Sequence, residues 1–383
     1  MKPAGVDRMT LHVVEVSPAT HWIFVVLQQR DGRIGSGEAS LNGREHAVRD
    51  AMSRLAASAL SASTDRPGNF AAGIVTADLA DAAAISAIDQ ALWDLHSQNA
   101  GMRVADAIGG AQRESIPVYA NINRRTRTRT PQGFAASARD ALAAGFTALK
   151  IAPFDEVDRT TCAAGRGLAA MQAGLSRVAA VRAEAGPRVR LMVDCHWRFD
   201  EPTARALVDA AAALGLYWIE CPLPETTENV DALVRLRRAA NDRGVRLAGL
   251  ELGIGVGAFR PLCEAGAYDV VMPDVKYIGG LMEMRRCAEE LARFGVAVSP
   301  HNPTGPICHA ASLHASAALL AFDMLEMQFD ESPLFESLVA GRLPARIDGH
   351  SALPVGAGFG VALAEDVLAA HAGAAAATWD ARA

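Results

Sequence analysis

Six cysteines are scattered over the 383 residues, at positions 162, 195, 221, 263, 287 and 308, and no two stand in a C-x-x-C spacing. Without paired thiols no disulfide framework is expected, and a reducing, cytoplasmic compartment fits best. A basic excess is missing too: 37 Lys and Arg face 43 Asp and Glu, which gives no electrostatic reason to expect nucleic acid as a partner. The one basic cluster, "NRRTRTRT" from Asn123 to Thr130, is short and reads as a solvated loop, with contact to an anionic substrate as the alternative. The opening "MKPAGVDRMTLHVVEVSP" lacks the apolar core of a signal peptide, and no charge-free apolar run reaches membrane-spanning length. A soluble protein with no membrane partner is expected.

What is present is a core. Half the residues are apolar and 21% are charged, enough for one large barrel with a second lobe or for two or three ordinary domains. "HWIFVVLQQ" and "RIGSGEAS" flank Asp31-Gly32, a strong hairpin dipeptide. The stretch "ADLADAAAISAIDQALWDLHSQ" sets Ile85, Ile88, Ala91 and Leu92 on one helical stripe, with a stop expected at Ile108 to Gly110. Residues 1–115 thus read as an α+β lobe.

From Ile116 short apolar strands alternate with amphipathic helices: "IPVYA", "TALKI", "VRLMVD", "YWIE", "VRLAGLE", "DVVMPD", "VAVSPH" and "FDMLEM". Leu207, Val208, Ala211 and Leu214 stripe one intervening helix after Asp200 and Pro202, and Met284, Cys287, Ala288 and Leu291 stripe another before Gly295. Eight such units predict an α/β fold, a TIM-like (β/α) barrel over residues 116–342, with its active site at the C-terminal strand ends. The Gly- and Ala-rich tail, 343–383, is too small to fold alone and is expected to return to the first lobe, which would cap the barrel.

The residues that close the strands carry the chemistry. Asp194, Glu220 and Glu251 end the third, fourth and fifth strands, and three carboxylates converging on one rim can hold a hard divalent cation through oxygen. Each acid alone would more often end a strand in solvent; three in consecutive units make that reading unattractive. Asp274 and His301 end the sixth and seventh strands. An Asp accepting from one imidazole nitrogen fixes the tautomer and leaves the other nitrogen free to take a proton. Glu326 comes from the eighth strand, while His309 and His314 on the following helix read as structural. In "LMVDCHWRFD" strand alternation predicts that Asp194 and His196 project the same way.

The ordered set "VDCHWRF", "WIECPLPE", "LAGLE", "MPDVKYIGG", "SPHNPTGPI" and "LEM", with "SGEAS" and "IDQALWDLH" upstream, resembles the enolase superfamily, specifically its mandelate racemase subgroup, over nearly the whole chain. The resemblance implies one Mg²⁺ per subunit on Asp194, Glu220 and Glu251, with the substrate carboxylate on the metal. It implies His301, oriented by Asp274, as the base that removes the proton next to that carboxylate, through an enediolate stabilised by the metal. Glu326 matches the family acid expected to hydrogen-bond the enediolate when protonated. Symmetric homo-oligomers built from dimers, up to an octamer, are also implied.

Departures from the family pattern choose among reactions. In "FTALKIAPF" Lys150 matches the first lysine of the family's Lys-x-Lys pair and is a candidate for binding the substrate carboxylate, but Ala152 replaces the second, which disfavours a two-base racemase. Tyr277 stands where muconate-lactonizing relatives keep a lysine, and Lys276 is one position out of register. Asp194-Cys195-His196 resembles the Asp-x-His of galactonate and mannonate dehydratases, though Trp197 and Arg198 depart from the Gly-Arg that often follows there. That pattern implies an acid-sugar dehydratase, in which His196 protonates a leaving 3-hydroxyl to give a 2-keto-3-deoxy acid; the alternative role for His196 is to orient Asp194. An epimerase or sugar-lactone cycloisomerase is the second reading, and a non-catalytic sugar-acid binder the third. In the first lobe, "SPATHWIF" offers His21 and Trp22 as substrate contacts, and Asn121 and Asn123 at the first barrel strand could meet sugar hydroxyls.

Overall fold

The computed structural model describes residues 5–18, 20–72, 74–371, 373 and 376–381. Ala19 of the "SPATHWIF" loop, the first four residues of the expected cap, Gly73, and 372, 374–375 and 382–383 of the expected tail lie outside the described residues.

The first lobe is built on an antiparallel sheet of β1 (Val6–Ser17), β2 (Thr20–Gln29) and β3 (Ile34–Glu38), with β2 and β3 joined across Asp31-Gly32. The tail strand Ala377–Asp380 adds to its edge beside β1, while His350–Ala352 pairs instead with the first barrel strand. Across the sheet lie the helices Glu45–Leu60 and Leu79–Ala100. Gly35 and Gly37 let the second helix approach: a Cβ on Gly37 would stand 1.9 Å from the carbonyl oxygen of Ala87. This helix does not run to Ile108. It stops at Gly101, whose φ of 66° provides the left-handed cap, and a separate turn, Val104–Ala107, fills the gap.

The second lobe contains the eight expected parallel strands: β4 (Ser115–Asn121), β5 (Ala148–Ile151), β6 (Arg190–Asp194), β7 (Leu216–Glu220), β8 (Arg246–Gly249), β9 (Val270–Val271), β10 (Ala297–Val298) and β11 (Leu325–Gln328). Neighbours pair in order from β4 to β10, β11 pairs with β4, and a bridge between Val298 and Phe322 closes the circle. The sixth and seventh strands are shorter than the sequence suggested, so Asp274 and His301 sit in the turns beyond them rather than on them. Pro273 and Pro300 immediately precede these two residues and have no N–H to give a ladder.

Strand alternation fills the barrel. Tyr119, Ala148, Met192, Trp218, Ala248, Val270, Met272 and Met324 form a separate buried cluster, while the residues between them pack outward on the helices. Two positions further along five of the strands stand Asn121, Lys150, Asp194, Glu220 and Glu326, so one polar layer lies directly above an apolar plug. Among the described residues no helix is long and apolar enough to cross a membrane.

The cap docks by side-chain-to-backbone hydrogen bonds on the turns that carry the site. Gln90 donates to the Val275 carbonyl, Ser86 accepts from Gly279 N–H, and Asp89 accepts from Leu281 N–H at 2.7 Å. Gly280, with φ of 117°, has no side chain to collide with Asp89.

Candidate active site

A cavity of about 280 Å³ opens where the cap meets the barrel mouth, lined on the barrel side by Lys150, Asp194, His196, Glu251, Lys276 and His301. Asp194, Glu220 and Glu251 are buried, and each offers an oxygen within 4.8 Å of the others. Asp194 and Glu220 are register partners on β6 and β7, which sets their side chains side by side. Glu251 arrives differently. Alternation from Ala248 would turn Leu250 inward, but Leu250 adopts φ of 69° and the next residue enters the layer instead.

These acids repel one another in the absence of a cation. Burial, and then the charges of neighbouring carboxylates, push Glu220 up to about 8 against the pull of Lys150, and push Glu251 well above the usual range. One Glu251 oxygen is buried without a hydrogen-bond partner, with His301 Nε2 3.5 Å away. An orphaned buried oxygen beside two more carboxylates is a donor set that fits a hard divalent ion such as Mg²⁺.

Asp194 and His196 do converge, but not by alternation. β6 ends at Asp194; His196 and Trp197 follow with φ of 48° and 57°, and the Asp194 carboxylate accepts both the His196 N–H at 2.8 Å and its Nε2 at 2.7 Å. The Asp194 charge raises the His196 imidazole, favouring its protonated form. Burial works against Asp194, yet the charges of His196 and Lys150 bring it down to about 2.

Opposite them, His301 Nδ1 lies 2.8 Å from Asp274 Oδ2. Burial raises the Asp274 carboxyl, but Lys276 and His301 outweigh it and leave it low. Lys276, expected out of register, is brought into the cavity: the strand ends at Val271, Asp274 Oδ1 accepts Lys276 N–H, and the chain turns so that Nζ sits 3.1 Å from Asp274 Oδ2. Lys150 Nζ bridges Glu220 at 2.6 Å and Glu326 at 2.9 Å. Glu326 also accepts from Asn121 Nδ2 and Asn302 N–H, and although burial opposes it, Lys150 and His301 lower its carboxyl.

The cap contributes alternate residues of β2. Thr20 and Trp22 line the cavity, and the buried Trp22 indole N–H has no partner. His21, between them, faces the other way and sits 3.2 Å from Glu45, so it does not line the cavity. Asn121 and Asn123 do, and Asn123 is held by Arg129. The basic cluster is largely paired internally: Arg124 with Glu331, Arg125 with Asp140 and Asp330, Arg129 with Asp155. Buried His309 and His314 are pushed down to about 3 and about 4 by burial and stay structural.

Two residues with clear work went unassigned in the sequence. Glu38 crosses from β3 to accept from Thr304 Oγ1, Gly305 N–H and Cys308 N–H, bracing the turn directly after His301. An acid closing the short β3 run "IGSGE", which otherwise has only small or apolar residues, is the signal that marks it. Glu331 accepts from Thr20 Oγ1 at 2.6 Å and from Arg124 at 3.0 Å, tying cap to barrel; lying beyond β11, it carries no such signal.

Residues 7–109 match the family described as "Mandelate racemase / muconate lactonizing enzyme, N-terminal domain", and residues 133–367 match "Enolase C-terminal domain-like". The chain belongs to this family of the enolase superfamily. It is 30% identical over 363 residues to a D-gluconate dehydratase of Thermoproteus tenax, covering 91% of this chain and 69% of that protein. It is 27% identical to a D-galactonate dehydratase of Xanthomonas campestris pv. campestris, covering 91% of each. A crystal structure of a member of the enolase superfamily from Salmonella Typhimurium superposes with a TM-score of 0.84 at 21% identity, over 98% of this chain and 100% of that one. An Agrobacterium tumefaciens enolase of the mandelate racemase subgroup gives 0.82 at 24%, over 99% of each. The capped (β/α) barrel is the fold of these neighbours.

Proposed function

We propose that the protein is a divalent-cation-dependent acid-sugar dehydratase, a carbon–oxygen hydro-lyase. The observation that carries this reading is one cavity holding a cation-ready carboxylate triad between two imidazoles. His196 follows β6 and His301 follows β10, four strands apart in a circle of eight, so they face the cavity from opposite walls. The dehydratase names of the relatives support the same class.

Asp194, Glu220 and Glu251 would hold one Mg²⁺, which when bound supplies Lewis-acid stabilisation of negative charge on the substrate carboxylate. His301 Nε2 removes the proton from the carbon next to that carboxylate, while Asp274 holds Nδ1–H and stabilises the imidazolium. Protonated His196 gives its proton to the hydroxyl on the following carbon, which departs as water. The enol left behind tautomerises to a 2-keto-3-deoxy acid. Lys150 balances Glu220 and Glu326, and Asn123 and the Trp22 N–H are placed to meet sugar hydroxyls. His196 also holds Asp194 in position, through its backbone N–H and its ring Nε2, a second task for the same residue.

Incubation with Mg²⁺ and a panel of sugar acids, read by 2-keto acid formation, tests the reading. Turnover is expected on at least one member, falling by about 10³-fold in His301→Asn. Deuterium exchange at the carbon next to the carboxylate without any keto acid would remove the dehydration step and leave an isomerase, which conserves substrate mass.

A further inference from the structure

The cavity contains more cationic side chains than one substrate carboxylate needs, and each is already matched. Lys150 lies against Glu220 and Glu326, Lys276 is 3.1 Å from Asp274, and His196 and His301 face Asp194 and Asp274. The remaining cation is Arg124, on the wall shared with the cap, and Glu331 stands 3.0 Å from it. The Glu331 side chain is only 7% exposed, and its second oxygen is fixed by Thr20 at 2.6 Å. Among the described residues lining the cavity no cation is left without a carboxylate.

We infer that Glu331 is a specificity-determining residue: by cancelling Arg124 it makes the far end of the cavity fit an uncharged polyhydroxy chain and reject a second carboxylate. The inference rests on the acid-sugar reading above and names the class within it, an aldonate rather than an aldarate. A carboxylate entering beside Arg124 would lose its hydration and gain no net positive charge, because Glu331 lies equally near. A hydroxyl loses far less on entry. It finds neutral partners in Thr20, Asn123 and Trp22, whose buried N–H awaits an acceptor, and the N–H groups of Arg124 that Glu331 does not take.

The test uses the full chain carrying His301→Asn, in which turnover is expected to be about 10³-fold slower, loaded with Mg²⁺. Calorimetry measures binding of six-carbon aldonates and of the aldarates that differ from them only in an oxidised terminal carbon. Each aldonate that binds is expected to bind at least ten-fold more tightly than its aldarate. Adding Glu331→Gln is expected to shift that ratio toward the aldarate by about ten-fold, and adding Arg124→Met in its place is expected to leave the aldonate ahead. An aldarate bound as well as or better than its aldonate overturns the inference, as does a panel in which no aldonate binds, or an unchanged ratio in folded Glu331→Gln protein. The acid-sugar reading fails separately, when the wild-type chain yields no keto acid from any member.

Discussion

Along the barrel wall of the cavity most ionisable side chains are tied to one another, in the groups Glu220–Lys150–Glu326, Asp194–His196 and Lys276–Asp274–His301, with one Glu251 oxygen left without a hydrogen-bond partner. The capping wall presents neutral groups instead: Trp22 with a free N–H, Ser40 bonded to Glu38, and Asn42 accepting from the His21 backbone. Lys150, Asp194, Glu220 and Glu326 stand on strands whose spacing the hydrogen-bond ladder fixes, so their charges can be matched to within a hydrogen-bond length, and the Asp274 carboxylate orders the turn that carries Lys276. Cap residues stand on a hairpin that touches the barrel at a few points. On the proposed mechanism, precision is concentrated where protons would move, and tolerance where hydroxyls would be sorted.

The sharpest way to break that contrast is on the barrel side. His196→Asn should lower keto-acid formation by about 10²–10³-fold while deuterium exchange next to the carboxylate persists, because His301 is untouched; equal loss of both signals in a protein that still binds Mg²⁺ would deny His196 its separate proton-donor role. On the cap side, Trp22→Phe keeps the packing and removes one donor. It should raise KM by about three- to ten-fold with kcat little changed, as expected for one hydrogen bond; a fall in kcat alone would move Trp22 into the reaction itself.

The carboxylate triad also predicts a pH dependence with a definite sign. Without a cation, the Glu220 carboxyl sits at about 8 in the folded protein against 4.5 ordinarily, so the folded state binds a proton that the unfolded chain releases. The stability this proton contributes is complete below the ordinary carboxylate value and is lost as pH rises through about 8. Thermal melts of metal-free protein should therefore fall by a few degrees toward alkaline pH, and added Mg²⁺ should oppose that fall. A metal-free Tm that rises over the same range would contradict it. The smallest effect belongs to His21→Ala, which loses a half-exposed pair with Glu45: less than about 0.5 kcal/mol and no change in KM.

The barrel and much of its site were legible because alternation is a strong code. Apolar runs ending in an acid put Asp194, Glu220 and Glu326 on one inner layer, and the structure keeps them there. The code fails where the backbone leaves the strand. Lys276 was judged by register, yet it stands in a turn organised by the Asp274 carboxylate; Glu251 reaches the layer through a left-handed Leu250. His21 was grouped with Trp22 although neighbours on a strand face opposite ways, a distinction alternation itself could have drawn. The helix over 79–100 ended at the earlier of two glycine signals. Glu38 and Glu331 act on partners far along the chain, and no local pattern announces such a partner.

The brace at Glu38 carries a consequence for how the molecule matures. Its carboxylate satisfies Thr304, Gly305 and Cys308, up to 270 residues away, at the start of the helix Pro306–Ala318. A barrel synthesised without its opening hairpin would present three unmatched donors beside the histidine that must be aimed most accurately. A strand that precedes the whole barrel in the chain thus completes the turn after its seventh strand, so that turn is fully bonded only once the capping lobe and the late barrel have met.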